Sequence, residues 1–261
     1  LNSEVHALAV SGGDVYAGGF FTTAGGTAVN NIAKWDGSSW SALGSGVGGV
    51  NYHSVTALAV SGNDVYAGGY FLTAGGTAAN YIAKWNGTSW SALGSGMNGQ
   101  VNALAVSGTD LYVGGGFNTA GGIVSGYVAK WDGSSWSALG SGTGGGDVFG
   151  PAVHALAVSG SGLYVGGDFY TAGGKVSAYL AKADLLLAAG TAPALAVTRT
   201  STNTVMFSWP LSSANFTLQQ NLDLNTTNWV TPYEAVNSNE SMKYIIVDPP
   251  SGNRFYRLFK P

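Results

Sequence analysis

The stretch Val55–Gly96, VTALAVSGNDVYAGGYFLTAGGTAANYIAKWNGTSWSALGSG, decides the fold because the chain contains it four times in recognisable form. The copies open at Val5, Val55, Val101 and Val153, each with the pattern Val-x-Ala-Leu-Ala-Val. Within the first three, the distance from the opening Val to the closing Gly (Val5 to Gly46, Val55 to Gly96, Val101 to Gly142) is constant, so every insertion falls in the connector that follows. A unit of fixed length with one variable joint is a stacked supersecondary repeat. Each unit reads as four short strands: Val5–Val10, Asp14–Gly19, Asn31–Trp35 and Ser39–Leu43 in the first copy. Ser-Gly-Gly-Asp, Ala-Gly-Gly and Asp-Gly-Ser-Ser separate them, and these residue types suit tight turns that need positive φ angles. No segment of the unit has helical periodicity.

The fourth copy decays. It keeps Tyr164, Gly166-Gly167 and Ala181-Lys182, but Ala183-Asp184-Leu185-Leu186-Leu187 stands where Trp-Asp-Gly-Ser-Ser-Trp is expected, so its outer strand is shortened or missing. Composition changes at the same place. Residues 1–190 hold 41 of the 42 Gly and one Pro, whereas 191–261 hold one Gly and six Pro, which sets a domain boundary at Gly190 to Pro193. Beyond it, Thr204–Trp209, Asn215–Gln220, Tyr244–Val247 and Phe255–Phe259 alternate like strands and predict a small β-sandwich.

Gly18-Gly19, Trp35 and Trp40 recur as Gly68-Gly69, Trp85 and Trp90, then as Gly114-Gly115, Trp131 and Trp136. A Gly-Gly pair after an aromatic-containing strand, an apolar strand ending in an aromatic, a turn, then a Trp with a Leu three residues later resembles the kelch-type β-propeller repeat over residues 5–190. The chain departs from that family in placing Trp where the third strand usually has Tyr, and in a second pair at Gly25-Gly26, Gly75-Gly76, Gly121-Gly122 and Gly173-Gly174. The resemblance implies a four-bladed propeller with blades near 5–54, 55–100, 101–152 and 153–190. Residues 191–261 are similar to the immunoglobulin- or fibronectin-like modules that end many secreted bacterial proteins. The expected fold class is therefore all-β.

Composition bears on function by exclusion. Hydrophobic residues make up 45% of the chain, as in packed globular proteins, but charged residues only 9% against ~25% in typical soluble domains. The net charge is −3 and all three Arg lie after residue 198, which gives no electrostatic footprint for nucleic acid. The longest apolar run, Leu185 to Val197, is broken by Gly190, Thr191 and Pro193 and is too short to span a membrane. There is no Cys, hence no disulfide, thiolate metal site or thiol nucleophile. Low charge with abundant Ser, Thr and Asn fits an exported bacterial protein, extracellular or at the cell surface. No secretion signal is legible at Leu1-Asn2-Ser3-Glu4, so a chain exported through one would have lost it.

Candidate binding residues lie on the connectors, where a repeated scaffold concentrates variability. Those between units carry Tyr52, His53, Asn98, Gln100, Asp147 and Phe149, while the links from second to third strand begin with aromatics including Tyr70 and Tyr170. His6, Thr56, Asn102 and His154 share one position in the innermost strands and are expected to line a central channel, with His6 and His154 becoming neighbours if the ring closes. Two imidazoles make a poor zinc site, so no metal or other cofactor is expected. Asp36 and Asp132, with Asn86 between them in the series, fit turn positions, and the Trp pairs fit packing between blades. The titratable residues that break the repeat, Glu4, His53, Asp147, Asp168 and Lys175, form no triad or paired-carboxylate pattern.

The sequence thus predicts a non-catalytic extracellular structural or adhesion protein that binds a protein or glycan through its variable loops. Two alternatives stand beside it: a self-assembling subunit of a filament or surface layer, joined through strand edges left by the short fourth blade, and a secreted polysaccharide hydrolase or lyase.

Overall fold

The computed structural model describes residues 1–261 except 50–51, 147, 149, 161, 186–194, 201–203, 211–216, 224–225, 240–241, 248–253 and 260–261. The described residues are all-β, without a helix, and divide into two units, Leu1–Leu185 and Leu186–Pro261. The compositional boundary at Gly190 to Pro193 falls outside the described residues.

Each of the first three repeats is a four-stranded antiparallel meander in sequence order. In the second repeat the strands are Ser54–Ser61, Asp64–Tyr70, Ile82–Trp85 and Trp90–Ala92. Among the described residues the fourth repeat has three, Ala152–Ser159, Gly162–Asp168 and Leu180–Asp184, and the stretch where an outer strand would follow lies outside the described residues. Between second and third strands a two-residue hairpin such as Thr73–Ala74 with Thr77–Ala78 turns on the second Gly pair, where Gly75 and Gly76 have φ of 60° and 79°. The connector after the first repeat crosses to its neighbour: Val47–Gly48 adds a strand to the hairpin at Thr73–Ala74. Thr143–Gly144 does the same to Thr171–Ala172.

The first Gly pair is explained by two close approaches. A Cβ on Gly18 would overlap the Val55 side chain of the next repeat, and one on Gly19 would overlap the carbonyl oxygen of Glu4 across the bulge in the inner strand. Gly68 receives Val101, and Gly114 receives Val153, in the same way. Only glycine leaves room for a neighbouring side chain to reach the sheet backbone. The joint is closed on either side by Leu58, Leu104 and Leu156 and by the buried Tyr16, Tyr66 and Tyr112 of the preceding repeats. It is tied by hydrogen bonds that Thr56 Oγ1 and Asn102 Nδ2 donate to the carbonyls of Val101 and Val153, at 2.5 and 3.0 Å.

Inner strands therefore pack in series, first on second, second on third, third on fourth. The expected closed four-bladed ring does not form. The first and fourth sheets do not pack on each other, and Val5, Leu8 and Val10 remain 39%, 65% and 67% exposed although Val55, Val101 and Val153 are completely buried. Each Gly–Val joint sets one fixed relation between adjacent sheets, and three such joints do not return the fourth sheet to the first.

In the second unit, Ala196–Arg199, Val205–Pro210, Met242–Val247 and Asn237–Ser238 form one sheet, and Thr217–Asn221 pairs with Phe255–Phe259 in another. Trp209, Leu218, Ile245 and Val247 form a common core with Phe207, Tyr256 and Leu258, a sandwich-like arrangement.

Candidate functional site

At the link from second to third strand, two aromatics that adjoin in sequence part company. Phe21, Phe71, Phe117 and Phe169 go into the core, while Phe20, Tyr70 and Tyr170 stay at the surface. The chain then reaches a residue in the left-handed region at the same place in every repeat: Asn31, Tyr81, Tyr127 and Tyr179, with φ between 63° and 70°. Asn accepts that conformation readily, whereas a bulky Tyr adopts it only when its surroundings enforce it. The enforcement is a pair of backbone bonds: Tyr81 N donates to Phe71 O at 2.9 Å and Tyr81 O accepts from Gly69 N at 3.0 Å. The fourth repeat reproduces both at Tyr179.

This backbone aims Tyr81 at Tyr70, with ring centroids 5.9 Å apart, and Tyr179 at Tyr170, edge to face at 5.7 Å. In the second repeat the inter-repeat connector brings His53 to the same place, so His53, Tyr70, Leu72 and Tyr81 enclose a small cavity of about 30 Å³. His53 and Tyr70 are thus brought together as expected of connector residues, and Tyr81 is a member that sequence reading missed. The repeated position holds Asn31 in the first copy and Tyr in the other three, and only the Asn is a residue type that marks positive φ. Tyr52, 84% exposed, is not part of the cavity. In the fourth repeat Tyr170 pairs with Tyr179 from a different position, the one that Leu72 holds in the second repeat.

Other predicted residues have structural work. Asn98 Oδ1 accepts from the backbone N–H groups of Asn118 and Thr119, both at 3.0 Å, and so holds the third hairpin. Asn2 does the same for Thr22 and Thr23. The main-chain carbonyl of Gln100 accepts from Gly116 N at 2.9 Å. Asp147 and Phe149 lie outside the described residues. Thr56 and Asn102 form the inter-repeat bonds described above, but His6 and His154 do not meet, since the ring is open. His6 Nε2 lies 3.1 Å from Glu4 and His154 Nε2 lies 2.8 Å from Asp168. Among the described residues no three His, Asp or Glu side chains converge as metal ligands, and no helix is long and apolar enough to cross a membrane.

The recurring charges are paired. Lys34, Lys84 and Lys130 reach Asp14, Asp64 and Asp110 at 2.6 to 3.0 Å. The fourth repeat has Gly162 in the Asp position, and Lys182 turns to Asp184 instead. Asp36 and Asp132 accept from the backbone N–H groups two and three residues on, which holds both carboxyls well below the usual carboxylate range, and Asn86 makes the same turn without a charge. Trp90 and Trp136 donate to the carbonyls of Leu43 and Leu93 in the preceding repeat, so the Trp pairs join sheets.

A larger concavity, about 530 Å³, lies in the second unit between Gln220, Asn228, Val230, Tyr233 and Arg254. Arg254 donates to Glu234 at 2.8 Å and to the Tyr233 hydroxyl, and its guanidinium lies over the Tyr233 ring. Arg254 joins the 220–234 stretch from twenty residues on, so no local motif announces the site.

Fold and site define an all-β repeat protein with an aromatic connector face. Neither a protein-family model nor a curated protein matches the chain. Among solved structures it is similar to a computationally designed protein, Ika4, at 16% identity and a TM-score of 0.41, over 70% of this chain and 92% of that one. So loose a superposition fixes neither fold nor function.

Proposed function

We propose that the chain is a non-catalytic recognition protein of the cell exterior, built from kelch-like propeller blades, that binds glycans on its connector face. The observation that carries this reading is the Tyr70–Tyr81 pair with His53, where a strained Tyr backbone is maintained to present an aromatic surface. Aromatic faces flanked by hydrogen-bonding groups suit sugar rings, whose C–H faces are apolar and whose rims are polar. Hydrolase or lyase chemistry has less support: Glu4 is engaged by His6 and Asp168 by His154, on sheets that do not meet.

The test is saturation-transfer NMR of the whole chain against a panel of neutral and acidic oligosaccharides, with Tyr70→Ala and Tyr170→Ala as variants. Binding lost in either variant while the circular dichroism is unchanged supports the reading. No binding across the panel, or binding indifferent to both variants, overturns it.

A further inference from the structure

The four repeats supply their own controls for what each sheet face is built to contact. On the face presented to the following repeat, Tyr16, Tyr66 and Tyr112 are buried, as are Ile32, Ile82 and Val128. Their fourth-repeat equivalents, Tyr164 and Leu180, are 39% and 62% exposed. Gly18, Gly68 and Gly114 are filled by a valine of the next repeat, whereas a Cβ on Gly166 would find only Ala155 at 3.7 Å and Tyr179 O at 3.8 Å, ordinary contacts within its own repeat. Among the described residues, none covers this face of the fourth repeat. At the other end, Val5, Leu8 and Val10 form the entering face with nothing to enter.

We propose that a second copy of this chain seats its first repeat on the exposed face of the fourth, so that Val5 fills the place beside Gly166 and repeats the Gly–Val joint between molecules. The argument is continuity with an interface already present three times in this chain, with the same residue types on both sides. Leu8 would lie where Leu58, Leu104 and Leu156 lie, against Tyr164. His154 stands at the position from which Thr56 and Asn102 donate to the next Val carbonyl, and would donate to that of Val5. The contact is face to face between sheets, not the pairing of strand edges that the decayed sequence of the fourth copy suggests. It is heterologous, so it yields a closed ring if the rotations sum to a full turn and a filament otherwise. This inference does not rest on glycan binding.

The experiment uses the full chain and two substitutions at positions that are open in the isolated molecule: Leu8→Asp on the entering face and Gly166→Leu on the receiving face. Analytical ultracentrifugation is run across a wide concentration range, with circular dichroism as the check on folding. The wild-type chain is expected to associate, and each variant to weaken association by at least about tenfold, as removal of a buried apolar anchor does. Each variant retains one intact face, so their mixture is expected to form a dimer and stop. A wild-type chain monomeric at every concentration overturns the proposal and leaves the faces to some other occupant, such as a further repeat on a longer polypeptide. Association indifferent to both variants, or a mixture that stays monomeric although both are folded, overturns it as well.

Discussion

Replacing Val101 by Ala tests the central claim that the Gly–Val joint holds adjacent repeats together. Val101 is completely buried, with its Cγ1 set against Gly68, and it belongs to the core formed with Tyr66, Ile82 and Leu111. The substitution deletes two methyl groups. At about 0.8 kcal/mol for each, plus a cavity that a rigid sheet backbone cannot close, the loss comes to about 2–3 kcal/mol. Val5 opens the same Val-x-Ala-Leu-Ala-Val pattern but is 39% exposed and fills no glycine of a neighbouring repeat, so Val5→Ala removes area that water refills and costs about 1 kcal/mol or less. Urea denaturation in dilute protein reads the difference: for a slope of about 2–3 kcal/mol/M, Val101→Ala lowers the midpoint by about 1 M and Val5→Ala by a third of that or less. Because repeat arrays lose cooperativity between units, amide exchange supplies the local readout, with protection falling in the second and third repeats and not in the first. Equal losses for the two variants, or a Val101→Ala effect below that of Val5→Ala, would refute the joint as the source of stability.

Gly68→Ala places a Cβ inside the Val101 side chain and is expected to destabilise by about 1–3 kcal/mol, whereas Gly166→Ala has room and is expected to be near neutral; thermal melts of the pair compare them. Asp36 and Asp132, whose carboxyls are held low by the backbone donors of their own turns, contribute stability that is present above the unfolded value near 4 and lost as pH falls toward their folded values. The double variant Asp36→Asn, Asp132→Asn copies the neutral turn at Asn86, and its stability is expected to fall less steeply with acid in a denaturation series from neutral pH downward. Tyr112 is pushed up to about 12, first by burial and then by the Asp110 carboxylate, and Tyr66 is raised by burial. Both favour the neutral phenol, so their contribution is intact below about 10 and is lost as pH rises through the folded values; Tyr112→Phe is expected to remove the last-titrating phenol in a spectrophotometric titration.

The local unit was legible because every strand and turn in it is specified by neighbours in sequence. Alternation marks Val-x-Ala-Leu-Ala-Val as a half-buried strand, Ala-Gly-Gly marks a tight turn though not the extra hairpin built on it, and Asp36 needs no partner beyond Ser38 and Ser39. The decay of the fourth copy is legible as the absence of a local pattern from Ala183 on, a stretch most of which lies outside the described residues. What the second Gly of each pair does, by contrast, depends on a bulge in the facing strand, and what the first does depends on a side chain some forty residues on, which only the packed sheets bring near. Tyr81 enters the candidate site through a backbone angle that its side-chain type would not announce. Whether the ring closes was beyond the sequence altogether. Repetition makes every joint alike, but closure depends on the sum of rotations over all of them, and that sum exists only in three dimensions.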